Sequence, residues 1–441
     1  MSFSRYPGYK ESSIEWLGEV PKHWEIIPLK RDLLFLTSGS RGWADHYSDD
    51  GALFIRIGNL TRDSVRLNLS DVQRVAVPEG AEGERTRVIS GDILFSITAY
   101  LGSVAVVPEE IELAYVSQHL ALVRLNGRRF LSKWVAYAAL SDIGKAYFET
   151  QGYGGTKVQL SLDDVANLLV PTPSIAEQSA ITAFLDRETA KIDALVQEQQ
   201  QLIKLLKEKR QAVISNAVTK GLDPHVPMKA SGVEWLGEVP EHWEVTSLKR
   251  FIKFLDGKRI PLSSEERSYR QGTFPYYGAS GIIDYIDDFI FEEDLILVGE
   301  DGANLINRST ALAFIATGQY WVNNHAHILK PLDNELIFWS ERLEAIDFTP
   351  FVSGSAQPKL TIDALANIQV AAPPDVRERR AIAERIAAIR ATIEPLIAEA
   401  RGAITLLQER RAALISAAVT GKIDVRRLVE ADTPTPDVIA A

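Results

Sequence analysis

The chain contains no cysteine. Disulfides, thiolate metal sites and a cysteine nucleophile are therefore excluded, and the composition fits a reducing cytoplasm. No apolar run approaches the length of a membrane span, and the opening stretch MSFSRYPGYKESS lacks the apolar core of a secretion signal. Positive charge is not in excess. A formal net charge of -11 argues against a protein that coats polyanions with its whole surface, although a local basic cleft is compatible with it. Enzyme motifs are missing too. The pairs Gly144-Lys145, Gly257-Lys258 and Gly421-Lys422 lack the glycine spacing and the following hydroxyl of a phosphate loop. Ala372-Pro373-Pro374-Asp375 lacks both the preceding Asn or Asp and the aromatic that an amino-methyltransferase needs. His325-Ala326-His327 would set two imidazoles on one face of a strand, but no third metal ligand can be assigned.

What the chain does have, it has twice. Residues Ser12 to Glu25 read SSIEWLGEVPKHWE and Ser231 to Glu244 read SGVEWLGEVPEHWE. A second echo joins VANLLVPTP (Val165 to Pro173) to LANIQVAAP (Leu365 to Pro373), and VISNAVTKGLD (Val213 to Asp223) to LISAAVTGKID (Leu414 to Asp424). The chain is a tandem duplication. Between the echoes lie Lys30 to Gly155 and Lys249 to Ser355, which show no comparable similarity to each other. A repeated framework with different inserts suits two different readers on one chassis. Hydrophobic content of 46% and charged content of 24% over 441 residues suit a globular protein in which each half has its own core.

The repeated segment groups Ile14, Trp16, Leu17 and Val20 before Pro21, then His23-Trp24. Tryptophans beside prolines fill cores, so packing is its expected role, and His23 and His242, which recur with the framework, read as structural. The first insert offers strands at Leu53 to Leu60, Gly91 to Thr98 and Ala114 to Leu125, then one helix from Leu131 to Phe148. The second offers Phe274 to Ile286, Glu293 to Leu305 and Tyr320 to Lys330, then a helix from Glu335 to Ile346. Both end in small-residue loops, Gly152 to Lys157 and Ser353 to Lys359. The two inserts should share an α+β fold whose strands match and whose loops do not.

A long helix follows each insert, ended by Gly221 and Gly421. Steps of three and four give Ile181, Leu185, Glu188, Ile192, Leu195, Gln199, Leu202, Leu206, Lys209 and Val213. In the second copy they give Ile382, Ile386, Ile389, Ile393, Leu396, Ala400, Ala403, Leu407, Arg410 and Leu414. That is a heptad seam on rods of roughly 60 Å. Pro395 should kink the second helix without ending it. The connectivity predicts antiparallel rods with the variable domains inverted about a pseudo-two-fold axis, a symmetry that duplex DNA shares.

The segment WLGEVPxHWE, the strings GDILFSITAYLGS, FPYYGASGIIDYI and WVNNHAHIL, and the helix starts AEQSAI and RERRAI together resemble the specificity subunit of type I restriction-modification systems, over nearly the whole chain to about Val425. The resemblance implies two α/β target recognition domains, each reading one half of a split, asymmetric site in double-stranded DNA, separated by long antiparallel coiled-coil helices. It implies a cytoplasmic, non-catalytic subunit with no cofactor of its own. Two modification subunits would carry S-adenosylmethionine, and restriction subunits would use ATP and Mg; no membrane is involved. The expected division is 1–174, first recognition domain; 175–220, first spacer helix; 221–374, second recognition domain; 375–424, second spacer helix; 425–441, disordered tail. Two alternatives are an autonomous enzyme, which the missing motifs disfavour, and a coiled-coil scaffold that binds only proteins.

Candidate DNA-contacting residues lie in the loops. Arg41, Trp43, Lys258 and Arg259 occupy basic loops near the start of each domain, where arginine suits guanine edges and either cation suits phosphate. Arg56 and Asn59 in the first domain, and Ser280 in the second, are further candidates. Tyr153 and Lys157, like Gln357 and Lys359, sit in small-residue loops that allow close backbone approach. Asn323, Asn324 and His325 can pair with base edges or tie down a turn.

Overall fold

The computed structural model describes residues 3–14, 17–77, 81–153, 158–354 and 358–426. It falls into two compact units, one made of 1–200 with 401–441 and the other of 201–400. Each unit is an α+β body built on one plan.

In the first unit a four-stranded sheet runs in the order Leu33–Ser38, Leu120–Leu125, Ile93–Ser96, Val104–Val106, antiparallel throughout. The strand Ala114–Val116 pairs in parallel with Ala52–Ile55 in a second sheet. Successive side chains of a strand face opposite ways, and the burial follows that alternation. Ile93, Phe95, Ala121 and Val123 enter the core against the helices, with Trp134, Ile181 and Leu185. Leu94, Leu120 and Leu122 instead face Leu53, Ile55 and Val116 of the second sheet. With both faces covered there, the central runs Ile93–Phe95 and Leu120–Val123 are apolar without a break.

The second unit repeats the order with Ile252–Phe254, Ala326–Pro331, Leu295–Gly299 and Ala313–Ala316. Its second sheet holds the hairpin Gln271–Gly278 and Gly281–Ile286, with Trp321–Val322 parallel to the first of these strands. Ile296, Val298 and Leu329 face the helices, and Leu295, Leu297 and Ile328 face the other way. The shared insert fold expected from the strand pattern is thus present in both units.

Three local expectations need correction. The stretch from Leu53 leaves the strand at Ile55 and turns into a 3-10 segment at Ile57–Asn59, because the Asn59 side chain accepts the Arg56 amide at 2.8 Å. The single helix expected over 131–148 is two, Ser132–Leu140 and Asp142–Gln151. Ser141 is extended between them, and its hydroxyl caps the second by accepting from the Gly144 amide at 3.4 Å. A Cβ on Gly144 would lie 2.2 Å from the Ala139 carbonyl, so the close packing at this corner depends on glycine. The strings at 114–125 and 320–330 each divide between two sheets.

The long helices are Ile175–Lys220 and Val376–Val419, and the second runs through Pro395. Among the described residues no helix is long and apolar enough to cross a membrane. Within the first unit Glu177 lies 4.0 Å from Arg426 and Asp193 pairs with Arg411, so the two helical segments there run in opposite directions. Within the second unit Arg210 pairs with Glu394, and Ile214 and Val218 share a core with Ile382, Ile386 and Ile389. The expected seam is followed only in part: Leu195, Leu202 and Leu396 are 43%, 43% and 44% exposed, while Ile397 and Ala400 are buried. Of the tail from 425, Val425 is fully buried in the first core and Arg426 pairs with Asp424 at 2.6 Å; 427–441 lie outside the described residues.

The repeated segment clasps the helix ends. Trp24 is fully buried and its Nε1 donates to Glu177 at 3.1 Å, while His23 Nε2 meets the other carboxylate oxygen at 3.1 Å. The second copy matches it: Trp243 Nε1 donates to Glu378 at 2.9 Å and His242 Nε2 lies 2.8 Å from the same carboxylate. Both glutamates stand in the first turn of a long helix, where a carboxylate is stabilised by the exposed amides. Gly421 and Gly221 end the helices with φ of 69° and 81°. A Cβ on Gly421 would lie 2.4 Å from Pro21, and one on Gly221 would lie 3.6 Å from Trp243. Packing is therefore the role of this segment and of both histidines. Trp235 is 37% exposed against Phe351, and Trp16 lies outside the described residues.

Candidate nucleic-acid interface

At one end of each central sheet the same set of backbone contacts gathers four loops. In the first unit the Ile97 amide donates to His119 O at 3.1 Å, and Leu160 donates to Ile97 O at 3.0 Å. Thr98 bridges Gln159, Gln159 bridges Tyr153, and Gln118 donates to Ser40 O. The Ser117 amide donates to Ile55 O, beside Arg56. In the second unit the Glu300 amide donates to His325 O at 2.9 Å, and Leu360 donates to Glu300 O at 2.8 Å. Asp301 bridges Lys359, Lys359 bridges Ser353, and the Asn323 amide donates to Tyr277 O. Thr98 therefore corresponds to Asp301, His119 to His325, Gln118 to Asn324, Gln159 to Lys359 and Tyr153 to Ser353.

The described candidates converge on these loops but not as equals. Arg41 and Lys258 are exposed on the loops that follow the first strand. Tyr153 is 56% exposed. Ser280 and Asn324 are exposed too. Trp43 is buried, stacked on Phe54 at 5.7 Å and tilted against Tyr115, so it serves the core. Asn59 is buried, and its amide donates to the Asn68 and Asp71 carbonyls, both at 2.9 Å. Arg56 is half-buried and faces Asp71 at 3.6 Å. Asn323 is buried and accepts the His325 amide at 2.7 Å, which ties down the turn. Lys157 and Gln357 lie outside the described residues.

Arg259 is held inside an ionic network. Its guanidinium meets Glu300, Asp256 at 3.5 Å and the Ala326 carbonyl at 2.9 Å. Lys359 meets the other Glu300 oxygen at 3.1 Å. His327 is fully buried, with Nδ1 2.6 Å from Asp256 and Nε2 2.8 Å from Leu360 O. Burial alone would raise the Asp256 carboxyl, but hydrogen bonds from His327 and the Ile328 amide hold it below its ordinary value. Glu300 is likewise lowered, against burial, by Arg259, His327 and Lys359. Asp256, Glu300 and His327 bring their ligand atoms within 4.8 Å of one another. Two cationic side chains already occupy Glu300, however, and a metal would have to displace them. His325 is not part of that set, since its Nδ1 pairs with Asp301 at 2.7 Å.

Sequence reasoning missed Gln118, His119 and Gln159, whose partly or fully exposed side chains occupy the first unit's counterparts of Asn324, His325 and Lys359. It also missed Arg62, whose guanidinium lies 4.0 Å over the exposed Tyr100 ring beside this face. The tripeptides SQH and NNH before the second strand in each sheet order carried a signal, readable only once the register was known.

The family model for the type I restriction modification DNA specificity domain matches twice, at residues 54–205 and 240–399. A putative type I restriction enzyme specificity subunit, MjaX, of Methanocaldococcus jannaschii is 22% identical over 97% of this chain and 99% of its own length. A putative type I specificity subunit of Haemophilus influenzae is 32% identical over 33% of this chain and 35% of its own. A solved chain from a study of complex assembly and conformational transition in the type I R-M system superposes with a TM-score of 0.61 at 17% identity, over 92% of this chain and 99% of that one. Two copies of a DNA specificity domain in one chain define a DNA-recognition protein without catalysis of its own. The chain belongs to the type I restriction-modification specificity subunits, whose role is to recognise DNA sequence.

Proposed function

We propose that the chain reads a bipartite, asymmetric site in double-stranded DNA, one half per unit, and directs methylation and cleavage there by partner subunits. One observation carries this reading: the same loops stand at the same end of the same sheet in both units, with different side chains on them. Arg41, Tyr153 and the 153–158 loop serve the first half-site. Lys258, Ser280, Asn324, His325, Lys359 and the 353–359 loop serve the second. The cations contact phosphate, and the polar groups contact base edges. The long helices pair along a coiled-coil seam, relate the readers by a pseudo-two-fold axis and set the spacing of the half-sites. Two modification subunits binding S-adenosylmethionine dock on them, and restriction subunits supply ATP- and Mg-dependent cleavage in the cytoplasm. Replacing residues 30–155 by the insert of a relative tests the reading through methylation mapping of the assembled complex. One half-site should change completely and the other not at all; a change in both ends the two-reader model.

A further inference from the structure

Of the histidines, His23 and His242 are engaged in the clasps and His327 is buried. His119 and His325 are different, because each stands on the loop face of its unit at the same place. The carbonyl of each accepts the amide one residue past the neighbouring strand, from Ile97 and Glu300. The ring of each is tied through Nδ1 to the residue after that, His119 to the Thr98 hydroxyl at 3.0 Å and His325 to the Asp301 carboxylate at 2.7 Å. His119 is exposed and the His325 side chain is 45% exposed. A ring anchored through Nδ1 offers Nε2 as its outward hydrogen-bonding atom. Gln118 lies beside the first ring, its Nε2 3.4 Å from His119 Nε2, and Gln159 and Lys359 complete the two settings.

We infer that His119 and His325 are equivalent specificity-determining residues, each presenting Nε2 to one base pair of its half-site; this rests on the two-reader function proposed above. The anchors differ in what they allow. A carboxylate only accepts, so Asp301 keeps a proton on Nδ1 and leaves Nε2 of the neutral His325 ring as an acceptor. An acceptor matches the exocyclic amine of adenine or cytosine in the major groove. A hydroxyl both donates and accepts, so Thr98 by itself permits either tautomer of His119, and it is the Gln118 amide, a donor 3.4 Å from Nε2, that favours the ring accepting there. Asp301 is thus a positioning residue that fixes which base the second reader takes.

The test is methylation of a randomised-site DNA pool by the complete complex. His325→Ala should lower discrimination roughly tenfold at one position of the second half-site and leave the first unchanged; His119→Ala should do the mirror image. Asp301→Asn, whose amide can donate as well as accept, should shift the preferred base at the position that His325→Ala relaxes. His325→Gln, which retains a donor and an acceptor, keeps the question answerable if the alanine variant fails to assemble. Wild-type base preferences in His119→Ala and in either His325 variant would overturn the inference while leaving two readers in place. A wild-type map without a bipartite motif would overturn the underlying function instead.

Discussion

Past the end of the third strand in each sheet order, the first unit carries Ile97 and the second Glu300. The neighbouring strand carries Ala121 in one and His327 in the other. The backbone bonds that latch the following loop are the same, from Leu160 to Ile97 O and from Leu360 to Glu300 O. One reader therefore holds its loop with apolar and neutral groups, and the other with a network of Asp256, Arg259, Glu300, His327 and Lys359. A fold can keep its hydrogen-bonded frame while the groups packed behind its loops change from apolar to ionic.

The largest expected effect tests whether the frames are as independent as their surfaces. Trp24→Ala and Trp243→Ala each remove a fully buried indole and should each cost about 3–5 kcal/mol in their own unit. Hydrogen exchange read separately for the two units would show it, and equal loss of protection in both units from either change would break the comparison.

A smaller effect sharpens it. Glu177 takes hydrogen bonds from Tyr6 at 2.8 Å and from Trp24, and also pairs with His23, whereas among the described residues the Glu378 carboxylate meets His242 and Trp243. Burial and then the Glu177 bond push the Tyr6 hydroxyl well above its ordinary value. Glu177→Ala strands more buried donors and should cost about 1–3 kcal/mol, with Glu378→Ala costing less. Denaturation followed by unit-resolved exchange would rank them; the reverse order would remove the argument from donor count.

The subtlest difference is in pH. Asp256 and Glu300 lie below their ordinary values when folded. Their contribution is complete at neutral pH and is lost as pH falls through those depressed values. The amide of Leu360 should therefore lose protection on acidification before that of Leu160, and Glu300→Gln should abolish the difference. Identical pH profiles for the two amides in the unaltered protein would show that the ionic latch adds nothing.

The duplication, the long helices and the shared insert fold were legible because repetition and hydrophobic period are properties of residue order. The site was legible only to the level of its loops. Trp43 and Arg259 look alike in a sequence whether they face solvent or a partner, and only the Phe54 stack and the Glu300 pair separate the cases. His119 stayed hidden because its likeness to His325 depends on strand register, which the unlike residues around it conceal. The seam failed at Leu195, Leu202 and Leu396 because a strict alternation of three and four cannot anticipate which side chains the packed domain leaves uncovered.

The Tyr9 hydroxyl donates to the Gly421 carbonyl at 2.9 Å across 412 positions of chain, and the Asp424 amide donates to Ser4 O. The second unit is encoded wholly between the two parts of the first. A ribosome adding roughly 5–20 residues per second therefore finishes the inner unit while the outer one still waits for its closing helix. Until residues 401–426 emerge, the core that holds Ile181 and Leu185 lacks Ile415, Ala418, Val419 and Val425, and Glu177 lacks the nearby Arg426. The order of synthesis thus completes the second unit before the last helical segment of the first exists.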